Sequence, residues 1–432
     1  MNTSGWGRHP VIDSNIFLAN ETSQFKEKLQ GGFSGIVYAN GRSYGDSALS
    51  DNVLLTSAIN HFVNFDDQSG VVTCEAGVLL ADLIDVFVPK GWFLPVTPGT
   101  KFVTVGGAIA SDVHGKNHHH DGCFSQFIID FDLMLPSGDI VTCSNANYSD
   151  LFHATCGGMG LTGFILKATL RLKKITSATV NVTTIKAESL TEVLELFDEH
   201  DGAAYSVAWL DCLKTGREFG RSLLMLGEHA ESGSLVSVNS KSLAVPVEVP
   251  GFVLNNYSIS MFNHFYYQKV KTTEAHTKES IDKYFYPLDG IHHWNRLYGK
   301  HGFVQYQFVI PRENGKEGLA KILTQVVNSR KASFLSVLKL FGPENSNYLS
   351  FPMEGYTMAL DFAVKPDLWR LLDSLDELVL QYGGRVYLAK DARMSEQVFK
   401  QSYPRWEKFI ALRKELGADK ILHSLQSQRL GI

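Results

Sequence analysis

Residues 96–120 carry the densest chemical pattern in this chain. A Pro98-Gly99 turn leads into Phe102-Val-Thr-Val105, which reads as a short strand, and then into Gly106-Gly107. Two glycines after a strand would expose main-chain N–H groups with no side chain in the way, a surface suited to a pyrophosphate. His114 and Lys116 follow at once and add a polar and a cationic group beyond the cradle. The pattern is that of a nucleotide-cofactor site with reactive side chains attached.

Other motifs carry a chemical reading and a plainer one. Asn40-Gly-Arg-Ser-Tyr-Gly-Asp46 follows a strand ending at Tyr38 and suits an anion or a flavin edge; the plainer reading is a surface turn. Gly158-Met-Gly160-Leu-Thr-Gly163 matches the dinucleotide pattern, but residues 150–155 look helical and 164–172 alternate like a strand. A Rossmann fingerprint needs the reverse order, so these glycines read as a helix-to-strand turn near the same cofactor. His114 and His118 have i, i+4 spacing, with His119 and His120 beside them. Gly115 disfavours a helix there and no carboxylate or thiol sits at ligand spacing, so we expect a polar active-site loop and no metal. Lys339 and Lys390 fall in strand-like settings, 337–340 and 386–389. A lysine directed into a sheet is costly unless it meets an anion; the alternative is an edge lysine reaching solvent. Residues 252–267 hold Phe252, Tyr257, Phe262, Phe265, Tyr266 and Tyr267, either as core or as a segment that meets an apolar substrate tail or a membrane surface.

These groups need elements to hold them. Residues 1–175 are glycine-rich with short β-type runs and a helical spacing over 79–87, which predicts an α+β domain. From 176 to 385 the pattern predicts helices over 189–200, 317–329 and 368–382, with strands over 303–310, read as alternating, and 356–364. Helices and strands over one large sheet fit a second domain. A closing segment, 385–432, ends in a helix. With 432 residues, 44% hydrophobic and 20% charged, the chain can bury two cores, and its net charge of -5 argues against nucleic-acid binding. Its five cysteines form no CxxC pair and read as thiols of a reducing compartment. No signal pattern or spanning apolar run is seen, so the expected location is cytoplasmic or peripheral to a membrane.

Together, residues 40–46, 97–100, 106–119 and 157–163 resemble the flavin domain of the vanillyl-alcohol-oxidase superfamily. More narrowly, residues 206–209, 293–296, 302–311, 339–342 and 387–391 resemble the flavin subunits of polyprenyl-phosphate sugar epimerases. The resemblance implies an α+β, two-domain PCMH-type FAD-binding fold. Residues 1–177 would bind FAD, 178–384 would form an antiparallel-sheet substrate domain, and 385–432 would return to complete the first. Matching positions imply FAD contacts at Asn40, Gly41, Arg42, Ser43, Tyr44, Gly45, Asp46, Gly99, Thr104, Val105, Gly106, Gly107, Ser111, Asp112, His114, Ile165 and Tyr387. Arg42 stands where many relatives carry a flavin-linking His, so non-covalent FAD is implied.

The implied chemistry is oxidation of the 2-hydroxyl of a polyprenyl-phosphate pentose, similar to decaprenylphosphoryl-ribose, to the 2-keto sugar. Hydride would go to flavin N5, as the first half of an epimerisation in cell-envelope arabinan synthesis. Lys390, Tyr44, Gln307 and His114 are the implied catalytic group; Lys116, Trp209, Gln305, Lys339 and Ala359 would line the substrate pocket. Implied partners are the lipid-linked sugar, a separate NAD(P)H-dependent short-chain ketoreductase, a quinone or oxygen as electron acceptor, and a membrane surface. The chain departs from mycobacterial-type members at Ala359 (there Cys), Thr357 (there a more polar amide) and Phe285 (there Tyr), which bears on the sugar and lipid. Two other readings stay open: the same fold acting on a free sugar, alditol or aldonolactone, and a non-catalytic flavin-binding sensor.

Overall fold

A computed structural model describes residues 1–236, 243–251, 253–331, 333 and 335–432. Phe252, the first of the aromatic run, lies outside the described residues. Three sheets organise the chain. The first is parallel, with β1 (Asn15–Leu18), β2 (Ile36–Tyr38) and β3 (Asn52–Leu55) in the order β1-β3-β2. The second is antiparallel: β4 (Phe62–Asp66), β5 (Val71–Glu75), β6 (Ile128–Met134), β7 (Ile140–Cys143) and β8 (Phe164–Arg171), ordered β7-β6-β8-β5-β4. In β5 the pleat is legible, with Val72 and Cys74 buried and their neighbours half-buried. Helix α1 (Leu80–Phe87) turns Leu80, Leu83, Ile84 and Phe87 inward, as the spacing predicts, and the Asp82 carboxylate accepts the Leu79 N–H at 3.0 Å.

One local expectation is overturned. Residues 102–105 do not form a strand; Val105–Ala110 is a helix, α2. Thr104 caps it, its hydroxyl accepting the Gly107 N–H at 3.0 Å. Capping chemistry and close packing outweigh the β-propensity of a valine pair here. A Cβ on Gly106 would come within 2.9 Å of the Ala76 Cβ, so this glycine lets α2 sit against the end of β5. The 158–163 glycines do form the expected turn, between α3 (Ser149–Thr155) and β8. Gly157 and Gly160 adopt φ of +83° and +77°.

The third sheet has eight strands, all paired antiparallel. They are β9 (Thr179–Ala187), β10 (Tyr205–Leu210), β11 (Ser222–His229), β12 (Glu274–Ser280), β13 (Phe303–Pro311), β14 (Ser336–Phe341), β15 (Gly355–Ala363) and β16 (Arg385–Val386). Their order is β12-β9-β11-β10-β14-β15-β13-β16. Helices α4 (Leu190–Glu199), α5 (Asn256–Gln268), α6 (Arg312–Ser329) and α7 (Leu368–Gln381) accompany it. Leu194, Phe197, Ile322, Leu323, Leu372 and Leu375 share one apolar cluster with Phe308, Leu338, Met358 and Leu360, so helices cover one sheet face. The sequence reading of 303–310 as alternating fails at the level of burial. All nine residues of β13 are buried, because helices cover one side and loops from the first part of the chain the other. Residues 386–389 also differ from their strand-like reading: β16 is two residues long, and Leu388–Lys390 form a 3-10 turn.

Three helices close the chain, α8 (Glu396–Ser402), α9 (Trp406–Glu415) and α10 (Leu425–Leu430). They pack back on the first part of the molecule. The Gly35 N–H meets Ile421 O at 2.9 Å, and Arg413 Nε donates to Leu161 O at 3.0 Å. Among the described residues no helix is long and apolar enough to cross a membrane.

Candidate active site

Sheet register decides which side chains share the uncovered face. Gln305 pairs with Asp361, Gln307 with Ala359, Val337 with Ala359, Lys339 with Thr357, and Trp209 with Val337. Directly paired residues point the same way, so Trp209, Gln305, Gln307, Lys339, Thr357, Ala359 and Asp361 lie on one face. Loops close over it. The Tyr44 N–H donates to Ala389 O at 3.0 Å, Asn40 Nδ2 to Phe102 O at 2.6 Å, and the Tyr387 hydroxyl to Ser111 O at 2.9 Å. The Ser206 N–H donates to Lys116 O at 2.8 Å, tying β10 to the His114 loop.

The four residues expected to act on substrate converge. Gln307 Nε2 lies 3.1 Å from His114 Nε2 and donates to Thr357 Oγ1 at 3.3 Å; that hydroxyl donates on to Phe308 O at 2.8 Å. With the amide donating, His114 Nε2 is an acceptor and its proton sits on Nδ1, which is buried and has no partner among the described residues. Burial, followed by Lys339, His118 and Lys390, holds His114 well below its usual pKa, so the ring is neutral. Lys390 Nζ lies 3.6 Å from the centroid of the Tyr44 ring. Burial lowers Lys390 to about 7, with Asp361 opposing and Lys339 assisting.

Lys116 and Lys339 complete a cationic trio. Burial takes Lys339 to about 8, and burial with Lys339 takes Lys116 to about 7. Lys116 Nζ donates to Tyr284 O and lies 3.9 Å from that ring's centroid. Desolvated lysines with depressed pKa values favour an anion, which would restore the charged form. Of the other pocket residues, Gln305 donates to Asp361 at 2.6 Å, while the Trp209 ring packs on Tyr266 of α5 at 4.8 Å.

The cofactor expectations divide. The N–H groups of Gly106 and Gly107 are not available as a phosphate cradle: one donates to Ala76 O at 2.8 Å, the other to Thr104 Oγ1. The Val105 N–H is likewise bonded, to Val78 O. Asp112 has its carboxylate committed elsewhere, accepting from Ser125 N, Asn345, Asn347 and Ser350. Asp46 meets Arg429 at 2.8 Å, and burial raises its pKa to about 6. Ile165 sits in the core of the five-stranded sheet. Gly45 is where two loops touch: a Cβ there would lie 1.6 Å from Asp391 O.

The 40–46 turn fits a flavin nucleotide better. Gly41 has φ +56°, and a Cβ on it would strike the Tyr38 hydroxyl at 2.2 Å. The N–H groups of Gly41, Arg42 and Ser43 have no partner among the described residues. Arg42 stacks 4.3 Å from the Trp6 ring and 5.2 Å from Phe102, and its buried Nε has no partner among the described residues. Nothing approaches the Cα of Gly99 where a side chain would project. These unpaired donors, with His114 Nδ1, are acceptor-seeking groups of the kind FAD satisfies.

The histidine run separates. His118 is buried and its Nδ1 accepts the Gly342 N–H at 3.2 Å, His119 Nε2 donates to Ala203 O at 2.9 Å, and His120 is exposed. Sequence reasoning missed Asp361, which accepts from Gln305, and Tyr298, whose hydroxyl donates to Asp361 at 3.4 Å. An aspartate inside the apolar run 356–364 was the available signal for the first; Tyr298 carried none, since its place depends on the fold.

Residues 30–144 match the family described as FAD binding domain. The chain is 34% identical to decaprenylphosphoryl-beta-D-ribose oxidase of Mycolicibacterium smegmatis, across 99% of this chain and 96% of that one. It is 24% identical to L-gulonolactone oxidase of Bos taurus, across 88% and 86%. Fold and matches together define an FAD-dependent oxidoreductase of the two-domain vanillyl-alcohol-oxidase class. Identity of this extent narrows the class: the chain belongs to the decaprenylphosphoryl-β-D-ribose oxidase family.

Proposed function

We propose that this enzyme oxidises the 2-hydroxyl of a polyprenyl-phosphate-linked pentose, such as decaprenylphosphoryl ribose, to the 2-keto sugar. The observation that carries the reading is the convergence of Lys116, Lys339 and Lys390 with neutral His114 and Gln307 over one sheet face. When bound, FAD supplies the two-electron hydride acceptor. Lys390, whose pKa of about 7 leaves a large neutral fraction near neutrality, accepts the hydroxyl proton. Gln307 and the His114 Nδ1 proton orient the sugar and cofactor oxygens. Lys116 and Lys339 hold the phosphate. Tyr44 closes the site against water with its buried ring.

Residues 1–177 and 385–432 serve FAD in this reading, and 178–384 the substrate. Arg42, in place of a linking His, leaves FAD non-covalent. On α5 the exposed side chains of Tyr257, Met261 and Phe265, spaced four apart, favour contact with a lipid tail or membrane surface. The keto sugar passes to a separate NAD(P)H-dependent ketoreductase, and electrons leave to a quinone or oxygen. Anaerobic rapid mixing tests the proposal: polyprenylphosphoryl ribose should bleach the flavin much faster than free sugars or gulonolactone. Equal or faster bleaching by the free sugars would overturn it. Acid precipitation of the same preparation should leave all yellow colour in the supernatant.

A further inference from the structure

Six aspartates are buried among the described residues, and five have strong partners. Asp46 and Asp391 share Arg429, Asp376 meets Arg393, Asp211 meets Arg221, and Asp112 accepts four neutral donors. Asp361 differs. Its side chain, 0% exposed, accepts from the Gln305 amide at 2.6 Å and from the Tyr298 hydroxyl at 3.4 Å, and has no ion pair among the described residues. Asp112 also has only neutral donors, but four of them; a buried carboxylate with two is costly, and an amide or apolar residue would fill the place more cheaply. It stands on the face of β15 that carries Thr357 and Ala359, beside the reacting centre.

We infer that Asp361 is a positioning residue for the oxidation, setting the protonation of Lys390 across the pocket and fixing Gln305 on the adjacent strand. This rests on the reading of Lys390 as the group that takes the hydroxyl proton. Oxidation of a carbinol breaks a C–H bond, whose electron pair goes to FAD as hydride, and an O–H bond, whose proton passes to the lysine nitrogen. The ammonium so formed lies in a desolvated site beside a second cation, Lys339. The Asp361 charge favours that ammonium, and Asp361 itself is raised to about 7 by burial, against Gln305 and Lys390. The titratable groups facing it are Tyr298 from the 3-10 turn Trp294–Tyr298, Tyr44 from the 40–46 turn and Lys390 from the return segment, while Lys339 on β14 acts on Lys390. Gln305 on β13 is neutral and also reaches the Tyr44 hydroxyl.

Asp361→Asn is isosteric and keeps an oxygen for Gln305. In the holoenzyme, trace acetylation across pH, read by mass spectrometry at the Lys390 peptide, should show the lysine midpoint moved down by about one unit, the smaller end of a charge-partner effect. Asp361→Ser, which removes the charge by another route, should move it the same way. The pH limb of the anaerobic bleaching rate should shift with it, a change that a merely structural role would not produce. A Lys390 midpoint unmoved in both variants overturns the inference. Failure of the wild type to bleach with the phosphorylated lipid sugar would sink the substrate reading alone, because the acetylation midpoint needs no substrate.

Discussion

Lys390 stands 3.6 Å from the Tyr44 ring centroid in a site where burial, partly offset by Asp361, lowers its pKa to about 7. Near pH 7 it is therefore split between amine and ammonium. The amine fraction grows as pH rises, so a rate that depends on the base should climb through pH 7 and level off above it. Lys390→Ala should retain FAD and a near-native melting temperature. Its anaerobic bleaching rate should fall roughly 10²-fold, the scale of losing one acid–base or electrostatic group. The limb near pH 7 should vanish with it. An unchanged rate would move Lys390 out of the proton path and leave His114 and Tyr44 as the groups to test.

Among the elements, the loops over the sheet matter most, and Asp112 ties two of them. Its carboxylate accepts from Asn345 at 2.7 Å, Asn347 at 2.8 Å and Ser350 at 2.6 Å, all from the connection between β14 and β15, and from the Ser125 N–H at 3.2 Å. Asp112→Ala should leave these donors unpaired and cost about 2–4 kcal/mol, seen as a lower melting temperature, with Asp112→Asn milder. The family resemblance implies an FAD contact at Asp112, through the match of residues 111–114. The sequence could not show that long-range donors saturate the carboxylate. The Gly106-Gly107 pair teaches the same lesson. Small residues there were legible as a close approach, but the approaching group is Ala76 rather than a phosphate. Local pattern reports that space is needed; it does not report what fills it.

At the scale of the molecule, the C-terminal segment is tied to the 40–46 turn through Arg429, which bridges Asp46 at 2.8 Å and Asp391 at 2.9 Å. Asp46 has a folded pKa raised to about 6 by burial, above its usual 3.8. Its charged form is thus disfavoured by the fold and depends on the guanidinium. Arg429→Ala should destabilise by about 3 kcal/mol, the lower end for breaking a buried pair. The sign with pH follows from the carboxyl, which rises above about 6 once the guanidinium is gone: the deficit is full well above pH 6, shrinks as the variant's Asp46 takes up its proton on the way down to about pH 6, and is smallest below it. Melting curves of both proteins at pH 8 and pH 5 check this, the gap narrowing at pH 5. A gap that widened there would remove Asp46 from the account. The sequence by itself determined the class of chemistry and most elements, because helical spacing, strand alternation and motifs such as Asn40–Asp46 are local in the chain. Tertiary structure decided that β13 is buried on both faces, that Asp46 and Asp112 serve the scaffold, and that Asp361 faces the site. Burial and hydrogen-bond partners are set by residues tens to hundreds of positions away, and no local pattern records them.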